Sequence, residues 1–325
     1  MIVRMVSHDA PLALTAAAIR GALERLPAVF RGSPQFVHEG LSARAGRPVI
    51  VKVESTNPIG AFKGRGCTVA LAMLVGEGRL PPGRPIVVAS TGNFGQGVAY
   101  AARALGLAAV VVADEHANPT KLGRIRSFGA TVVQEGRDFD EAREVAAAYA
   151  REHRAMLLVD GEDPWIAAGA GTLAVEVTDA IVRGELPPLG SAWVPVGNGA
   201  LIVGVGAWLR HAAPASRVVG VQSEAAPSMT LSWRAGRPID TPTAATFADG
   251  IATRGPVPEA LDMMVGRVDE MVLVSEDALR EAQAELTAVL GITVEGAAAA
   301  SWAGLRAESE PPDGAALVII TGSNA

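Results

Sequence analysis

Short apolar runs alternate with segments of helical character along most of this chain, and this alternation constrains the fold more than any other feature. Strands that alternate with helices pair in parallel, because each helix carries the chain back across the sheet in a right-handed crossover. The pattern is most regular between Pro85 and Val159. It predicts strands at 85–90, 108–113 and 131–134, and helices at 98–105, 120–128 and 139–153.

Further strands are predicted near Val194, Val219 and Val318, on the far side of this regular unit. We therefore expect an α/β fold with two doubly wound lobes of mostly parallel sheets. Residues 85–158 would form the small lobe, which carries a loop for the substrate carboxylate, and residues 1–84 and 159–325 would form a large cofactor-binding lobe. With 325 residues and 49% hydrophobic content, the chain is long and apolar enough to bury two such cores.

Composition and charge exclude several classes of protein. A net charge of -6 with interspersed signs argues against nucleic acid as a partner. The single cysteine, Cys67, excludes an internal disulfide framework, and we expect it to be a small buried hydrophobe. Arg4 and His8 are not followed by a long apolar segment, so we expect neither a signal peptide nor a membrane span, and we expect a cytoplasmic location.

Lys63 is the first candidate catalytic group, because it comes directly after a strand and a tight turn. The β-branched run 49–53 predicts the strand, and Asn57, Pro58 and Gly60 predict the turn that ends it. Lys63 would then open the next helix. A partly desolvated lysine near a helix N-terminus and a second cation, here Arg65, can attack carbonyl groups as a free amine. The alternative is an ordinary solvated surface lysine.

Three more loops follow predicted strands. The polar, glycine-rich turn at 91–97 suits an anion such as phosphate or carboxylate, because a helix follows it. The turn at 197–200 lies between a strand at 192–196 and a helix at 201–211, and its glycines would let the backbone approach a phosphate. Thr321 follows the strand 316–320. Because ligands bind at the carboxyl ends of parallel strands, we expect these loops to meet at one cleft.

The loop at 91–97 also admits a dinucleotide-binding interpretation. A strand, a glycine-rich loop and a helix are followed by Asp114 at the end of the next predicted strand, where a carboxylate could bind a ribose. However, the order of the glycines in this loop differs from that of the dinucleotide motif. This interpretation also leaves Lys63 and Thr321 without a role.

Four motifs together resemble the fold-type-II pyridoxal-phosphate enzymes, the tryptophan-synthase-β-like family. They are Asn-Pro-x-Gly-x-Phe-Lys at 57–63, Ser-x-Gly-Asn at 90–93, the glycine-rich turn at 197–200 and Thr-Gly-x-Asn at 321–324. The resemblance covers nearly the whole chain, and the segments 163–173 and 247–252 are most similar to threonine/serine dehydratases. It implies pyridoxal 5'-phosphate as cofactor, a small amino acid as substrate and a homodimer.

The resemblance also implies roles for individual residues. Lys63 matches the lysine that binds the cofactor and acts as catalytic base, and Thr91 is a second catalytic candidate because its hydroxyl lies where racemases of the family carry a serine. The residues that match the substrate-carboxylate loop are Ser90, Thr91, Gly92 and Asn93. The residues that match cofactor contacts are Phe62, Lys63, Asn93, Gly197, Asn198, Gly199, Ala200, Leu201, Glu295 and Thr321. Gln222 and Ser228 stand where many relatives carry acidic cation ligands, so no metal site is expected.

The implied activity is the β-elimination of threonine or serine to a 2-keto acid and ammonia, which makes the protein a lyase. Two departures keep other outcomes open. Phe94 stands where dehydratases carry histidine, and the segment 195–199, with Thr91, is closer to threonine synthases. The alternatives are a threonine synthase or another β-replacing synthase, a serine racemase-like enzyme, and a binding protein that has kept the fold without activity.

Overall fold

The computed structural model describes residues 14–137 and 139–324, in which helices surround two β-sheets. The N-terminal segment, for which we expect no signal peptide, lies outside the described residues. The strands are β1 (Gln35–Val37), β2 (Val49–Val53), β3 (Ile86–Ala89), β4 (Ala109–Ala113), β5 (Thr131–Gln134), β6 (Met156–Leu157), β7 (Leu189–Pro195), β8 (Arg217–Ser223), β9 (Glu270–Val274) and β10 (Ala315–Ile320). The helices are α1 (Ala16–Arg25), α2 (Glu39–Ala45), α3 (Lys63–Gly76), α4 (Asn93–Ala104), α5 (Pro119–Ser127), α6 (Phe139–Glu152), α7 (Pro164–Val182), α8 (Ala200–Ala212), α9 (Ser228–Ala235), α10 (Pro258–Met264), α11 (Glu276–Leu290) and α12 (Gly296–Arg306).

The larger sheet has the strand order β1, β2, β10, β7, β8, β9. Its strands are parallel apart from β1, which runs antiparallel to β2. Every residue of β2 and of β10 is buried, as expected for strands of a parallel sheet that helices cover on both faces. Strand β2 and helix α3 begin at the residues that the sequence predicts, Val49 and Lys63.

The smaller sheet has the order β5, β4, β3, β6, and all its strands are parallel. The expected α/β fold with mostly parallel sheets is confirmed. Strand β6 was not predicted, because its two residues are too short to form a strand-length apolar run. It pairs with Ile86 and Val87 of β3 and carries the chain from the smaller sheet toward α7.

Helix α4 begins earlier than the sequence pattern predicts. The sequence pattern predicts a turn over 91–97, but the residues from Asn93 onward are already helical. Gly95 and Gly97 serve close packing here: a Cβ at Gly95 would lie 3.1 Å from Ile125 Cδ1, and one at Gly97 would lie 2.8 Å from Cys67 Sγ. The prediction of a long glycine turn is therefore wrong, and only residues 90–92 form the loop.

Helices α3, α7 and α8 pack unusually closely beneath the larger sheet because glycines lie at their contacts. A Cβ at Gly169 would lie 2.6 Å from Arg65 O, and one at Gly171 would lie 2.6 Å from Gly204 O. Helix α7 is also the one described helix long and apolar enough to span a membrane, but 78% of its apolar window is buried inside the protein. Its composition is thus explained by its position in the core.

Candidate active site

A cavity of about 240 Å³ lies between the two sheets, where loops that follow the carboxyl ends of several strands meet. All of the site residues predicted from the sequence line this cavity. They are Phe62, Lys63, Ser90, Thr91, Gly92, Asn93, Gly197, Asn198, Gly199, Ala200, Leu201, Glu295 and Thr321. Their individual roles stay predictions, but the fold brings them to one place.

A rigid turn presents Lys63 to the cavity. Asn57 accepts hydrogen bonds on its Oδ1 from the backbone N–H groups of Ile59 and Ala61, and its Nδ2 donates to the Glu54 carbonyl at 2.7 Å. Gly60 has a φ of 67°, in the left-handed region that favours glycine. Helix α3 starts immediately afterwards, so the turn sets the direction in which the Lys63 side chain leaves the helix.

The Lys63 amine has a carboxylate partner that the sequence pattern did not reveal. Its Nζ lies 2.6 Å from Oδ2 of Asp160, and the rings of Phe62 and Phe94 lie with their centroids 4.8 and 5.8 Å from it. Asp160 follows the short strand β6. The rule that functional side chains follow the carboxyl ends of parallel strands would have found Asp160, had β6 itself been recognised.

Arg65 does not serve as the cationic neighbour expected for Lys63. Its guanidinium is buried and donates hydrogen bonds to the carboxylates of Glu54 and Glu176, at distances from 2.7 to 3.0 Å. Lys52 Nζ binds Glu176 as well, at 2.5 Å. The expectation is therefore corrected. The carboxylate of Asp160 faces the Lys63 amine, whereas Arg65 links α3 to Glu54 and Glu176.

The N-terminus of α8 forms a pocket suited to a phosphate. Gly199 precedes the helix with a φ of 93°, and a Cβ at Gly197 would lie 2.6 Å from the Gly250 carbonyl oxygen. Both positions therefore require glycine. The first N–H groups of a helix lack partners within it and carry partial positive charge, so they bind anions. The predicted segment Gly197–Leu201 thus has the geometry of an anion site.

A second helix N-terminus faces the same cavity. Ser90 is buried at the end of β3, and its Oγ accepts hydrogen bonds from the N–H groups of Gly92 and Gly95, at 3.3 and 2.9 Å. Helix α4 begins at Asn93, directly after Gly92. The short loop that Ser90 stabilises therefore opens onto the positive end of α4, which suits a carboxylate.

Polar side chains that lie far apart in the sequence meet around Glu295. Asn93 Nδ2 lies 2.9 and 3.2 Å from the two carboxylate oxygens of Glu295, Thr321 donates its hydroxyl to one of them at 3.4 Å, and Asn324 donates to Asn93 Oδ1 at 2.7 Å. Burial raises the pKa of Glu295 to about 7, although the hydrogen bond from Asn93 opposes the shift. Glu295 can therefore gain or lose a proton near neutral pH.

Gln222 and Ser228 form a neutral hydrogen-bonded cluster. Gln222 Oε1 accepts from both the backbone N–H and the hydroxyl of Thr230, at 3.0 and 2.9 Å, and its Nε2 donates to Thr253 Oγ1 at 3.1 Å. Ser228 donates to the Thr253 carbonyl. The cluster ties β8 to the loop at 249–253 that lines the cavity. Among the described residues, no group of three or more His, Cys, Asp or Glu side chains could hold a metal ion.

Comparisons with known proteins agree with this geometry. The family model of the pyridoxal-phosphate dependent enzymes matches residues 29–322. An L-threonine ammonia-lyase of Geobacter sulfurreducens is 36% identical over 88% of this chain and 69% of its own length. An L-threonine ammonia-lyase of Thermotoga maritima is 35% identical over 87% of this chain and 69% of its own length. The crystal structure of the T.th. threonine deaminase has a TM-score of 0.87 at 30% identity, covering 96% of this chain and 98% of that one.

The residues present fit pyridoxal phosphate. One cavity contains an amine at Lys63, an anion site at the N-terminus of α8 and a hydroxyl at Thr321. The cofactor needs an amine that can bond its aldehyde and donors that can hold its phosphate, and the cavity supplies both. The match extends over nearly all of the described residues. The chain therefore belongs to the family of pyridoxal-phosphate dependent enzymes.

Proposed function

We propose that the protein catalyses the β-elimination of a hydroxy amino acid, threonine or serine, to a 2-keto acid and ammonia. One observation carries the proposal: the Lys63 amine shares its cavity with two helix N-termini, those of α4 and α8. Two anions can therefore bind in the cavity that contains this amine. The substrate carboxylate and the cofactor phosphate are such a pair, and the relatives named above are threonine ammonia-lyases.

In this proposal the Ser90–Asn93 loop binds the substrate carboxylate and thereby fixes the α-carbon near Lys63. The cofactor, when bound, supplies an electron sink for the negative charge that develops at that carbon. The Lys63 amine accepts the α-proton, the bond from the β-carbon to oxygen breaks, and the hydroxyl takes that proton back from Lys63 and leaves as water. The released enamine then reacts with water to give the keto acid and ammonia.

Thr321 would be the hydrogen-bond partner of the cofactor's ring nitrogen, and Glu295 lies beside it in the cavity. The hydroxyl of Thr321 is neutral and, together with Asn93, is hydrogen-bonded to Glu295. The cofactor's ring nitrogen need not carry a proton when its partner is a neutral hydroxyl, whereas an aspartate partner would favour the protonated nitrogen. This arrangement favours prompt loss of a β-substituent over transfer of the amino group to the cofactor.

Substitution of Lys63 tests the assignment of the catalytic amine. Purified protein loaded with pyridoxal phosphate is incubated with L-threonine or L-serine, and keto acid and ammonia are measured. We expect equal amounts of both products from wild type and none above background from Lys63→Ala. Cofactor retained covalently by Lys63→Ala, or no keto acid from any hydroxy amino acid with wild type, would overturn the proposal. Keto acid formation also distinguishes elimination from replacement or racemisation.

We also propose that the enzyme acts as a homodimer in the cytoplasm. The family resemblance supports the dimer, and the apolar side chains of Val182 and Val265, exposed by 86% and 73%, are consistent with a protein contact. Sedimentation equilibrium should give twice the mass of the chain. Cell fractionation should place the protein with the soluble enzymes, and its recovery with membranes would contradict the location.

A further inference from the structure

Asp160 has one carboxylate oxygen engaged and one without a partner. Its Oδ2 accepts from Lys63 Nζ at 2.6 Å and from Asn198 Nδ2 at 3.3 Å. Its Oδ1 is buried and has no hydrogen-bond partner among the residues that the structure describes, and the residue as a whole is only 9% exposed. A buried carboxylate oxygen without a donor is costly, so this oxygen is poised to accept a hydrogen bond from a ligand.

Asp160 stands at the junction of two cavities. A second cavity of about 490 Å³ adjoins the one that contains Lys63, and both share Ala89, Phe139, Asp160 and Asn198 in their walls. The charged side chains farther along the second cavity are of mixed sign and exposed to solvent: Arg143, Glu144 and Arg254. Asp160 is therefore the buried charge at the point where a substrate side chain would pass from the amine toward the second cavity.

We propose that Asp160 forms the subsite for the β-substituent of the amino acid substrate, and that it selects a substituent that donates hydrogen bonds. An ammonium group binds there in preference to a hydroxyl, and an anionic group is rejected. This inference rests on the proposed function, since it places a leaving group on the β-carbon. It also extends that function, because it adds β-amino amino acids to the hydroxy amino acids as substrates.

The contact with Lys63 supports the preference for a cation. In the structure the Asp160 carboxylate already binds an ammonium group, at 2.6 Å. To accept the α-proton, the Lys63 amine must be unprotonated, so its positive charge no longer faces Asp160 and this buried carboxylate is left without a cation. Leaving a buried charge unpaired is strongly unfavourable. A substrate ammonium replaces the lost charge, whereas a hydroxyl supplies only a neutral hydrogen bond.

The chemistry balances with water as the only added reactant. With 2,3-diaminopropionate, the α-proton goes to Lys63, the bond from the β-carbon to nitrogen breaks, and the protonated β-amine leaves as ammonia with the electron pair of that bond. The enamine that remains reacts with one water to give pyruvate and a second ammonia. Two ammonia molecules per keto acid thus distinguish a β-amine substrate from serine, which gives one.

The first test compares substrates and variants of the holoenzyme. We expect kcat/KM for L-2,3-diaminopropionate to exceed that for L-serine, with two ammonia per pyruvate. Asp160→Asn should lower the ratio of the two kcat/KM values at least tenfold, because the amide keeps the shape but loses the charge. Asp277→Asn, which changes an exposed aspartate on α11, should leave the ratio unchanged. An unchanged ratio in Asp160→Asn would overturn the proposal.

The second test measures binding without turnover. L-2,4-Diaminobutyrate and L-aspartate carry a cationic and an anionic side chain, and neither can lose ammonia from its β-carbon. Calorimetric titration of wild-type holoenzyme should give a Kd for L-2,4-diaminobutyrate at least tenfold below that for L-aspartate, and Asp160→Asn should remove most of the difference. L-Alanine should bind both proteins equally. Equal affinity of wild type for the two charged ligands would refute the subsite.

The outcomes separate this inference from the proposed function. Pyruvate from 2,3-diaminopropionate but no keto acid from threonine or serine would refute the proposed function and support the subsite. Keto acid from threonine with a substrate preference that Asp160→Asn leaves unchanged would refute the subsite and support the proposed function.

Discussion

The side-chain amide of Asn93 bridges to both carboxylate oxygens of Glu295, at 2.9 and 3.2 Å, and so joins the start of α4 to the start of α12. The orientation of this amide is set from both ends, because Asn324 donates to Asn93 Oδ1 at 2.7 Å. The predicted carboxylate loop is therefore held by residues far away in the sequence, at the start of α12 and after β10. Glu295 is the ionisable member of the contact, so its protonation state should influence stability.

The first prediction concerns the pH dependence of stability. Burial raises the pKa of Glu295 from 4.5 to about 7, so between these values the folded protein holds a proton that the unfolded chain has lost. The free energy of unfolding should therefore fall as pH rises through this window, by on the order of 3 kcal/mol for one such group, and level off above it. Glu295→Gln should remove this component. Denaturant unfolding of the apoprotein from pH 4.5 to 8 measures it.

A matched control for this prediction is Glu281→Gln, because Glu281 lies exposed on α11. This variant should keep the pH dependence of wild type. If Glu295→Gln and Glu281→Gln give the same curve as wild type, Glu295 does not carry the proton assigned to it.

The second prediction concerns the loop at 90–92. Ser90→Ala leaves the buried N–H of Gly95 without its acceptor, which costs about 1–2 kcal/mol of stability. Since the loop would bind the substrate carboxylate, KM should rise more than kcat falls. Steady-state kinetics of Ser90→Ala check this. The control is Ser127→Ala, because the Ser127 hydroxyl donates only to the exposed carbonyl of Arg124. A larger effect on kcat than on KM would show that the loop acts elsewhere in the reaction.

The third prediction concerns the contact of α7 with α8. A Cβ at Gly204 would lie 2.6 Å from Gly171 N and closer still to the Ala167 carbonyl oxygen, so Gly204→Ala must push the helices apart. We expect a loss of about 1–3 kcal/mol, the usual cost of overpacking a core. Gly123→Ala in the exposed face of α5 has open space around it and should instead stabilise the protein by about 0.5–1 kcal/mol. Thermal unfolding of both variants gives opposite shifts in Tm if this is right.

The fourth prediction concerns the buried ion cluster around Arg65. Arg65→Met removes the donor for Glu54 and Glu176 and leaves two buried carboxylates with too few cations. Breaking such a cluster should cost about 3–5 kcal/mol. Arg183→Met removes an exposed pair with Glu185, which solvent screens, and should change the stability far less. Urea unfolding measures both, and equal small losses would mean that the cluster contributes little.

The fifth prediction concerns Cys67, which is buried and whose Sγ is in contact with the Phe94 carbonyl oxygen. Burial raises the pKa of its thiol, so the reactive thiolate is scarce at neutral pH. A thiol reagent should label the native protein very slowly and the denatured protein with one equivalent within minutes. Rapid labelling of the native protein would contradict the burial of this side chain.

Local sequence patterns predicted the loops at 57–63, 91–97 and 197–200 and the position of Thr321, because each follows a predicted strand. The family resemblance alone implied a role for Glu295, which follows helix α11 and not a strand. Lys63 and Gly197–Leu201 belong to such loops, and in a parallel sheet the carboxyl ends of the strands share one edge. The fold follows from the same alternation. These predictions needed no knowledge of which segments lie next to each other in space.

Other features could not be predicted because they depend on contacts between distant segments. Asp160 meets Lys63 across 97 positions of sequence and follows a strand of two residues. The glycines of α4 were interpreted as a turn, whereas they make room for Cys67 and Ile125. A glycine that permits a turn and a glycine that permits close packing are identical in sequence, and only the tertiary neighbours distinguish them.

Strand β10 lies between β2, which leads to Lys63, and β7, which leads to the anion site of α8. All of its pairings are with strands distant in sequence, whereas β3 pairs with β4, and β4 with β5, strands that follow one another closely in the sequence. Bringing distant segments together carries a larger entropic cost and slows folding. During refolding, amide protons of β3 and β4 should thus gain protection from exchange before those of β10, and affinity for the cofactor should appear only when β10 has inserted.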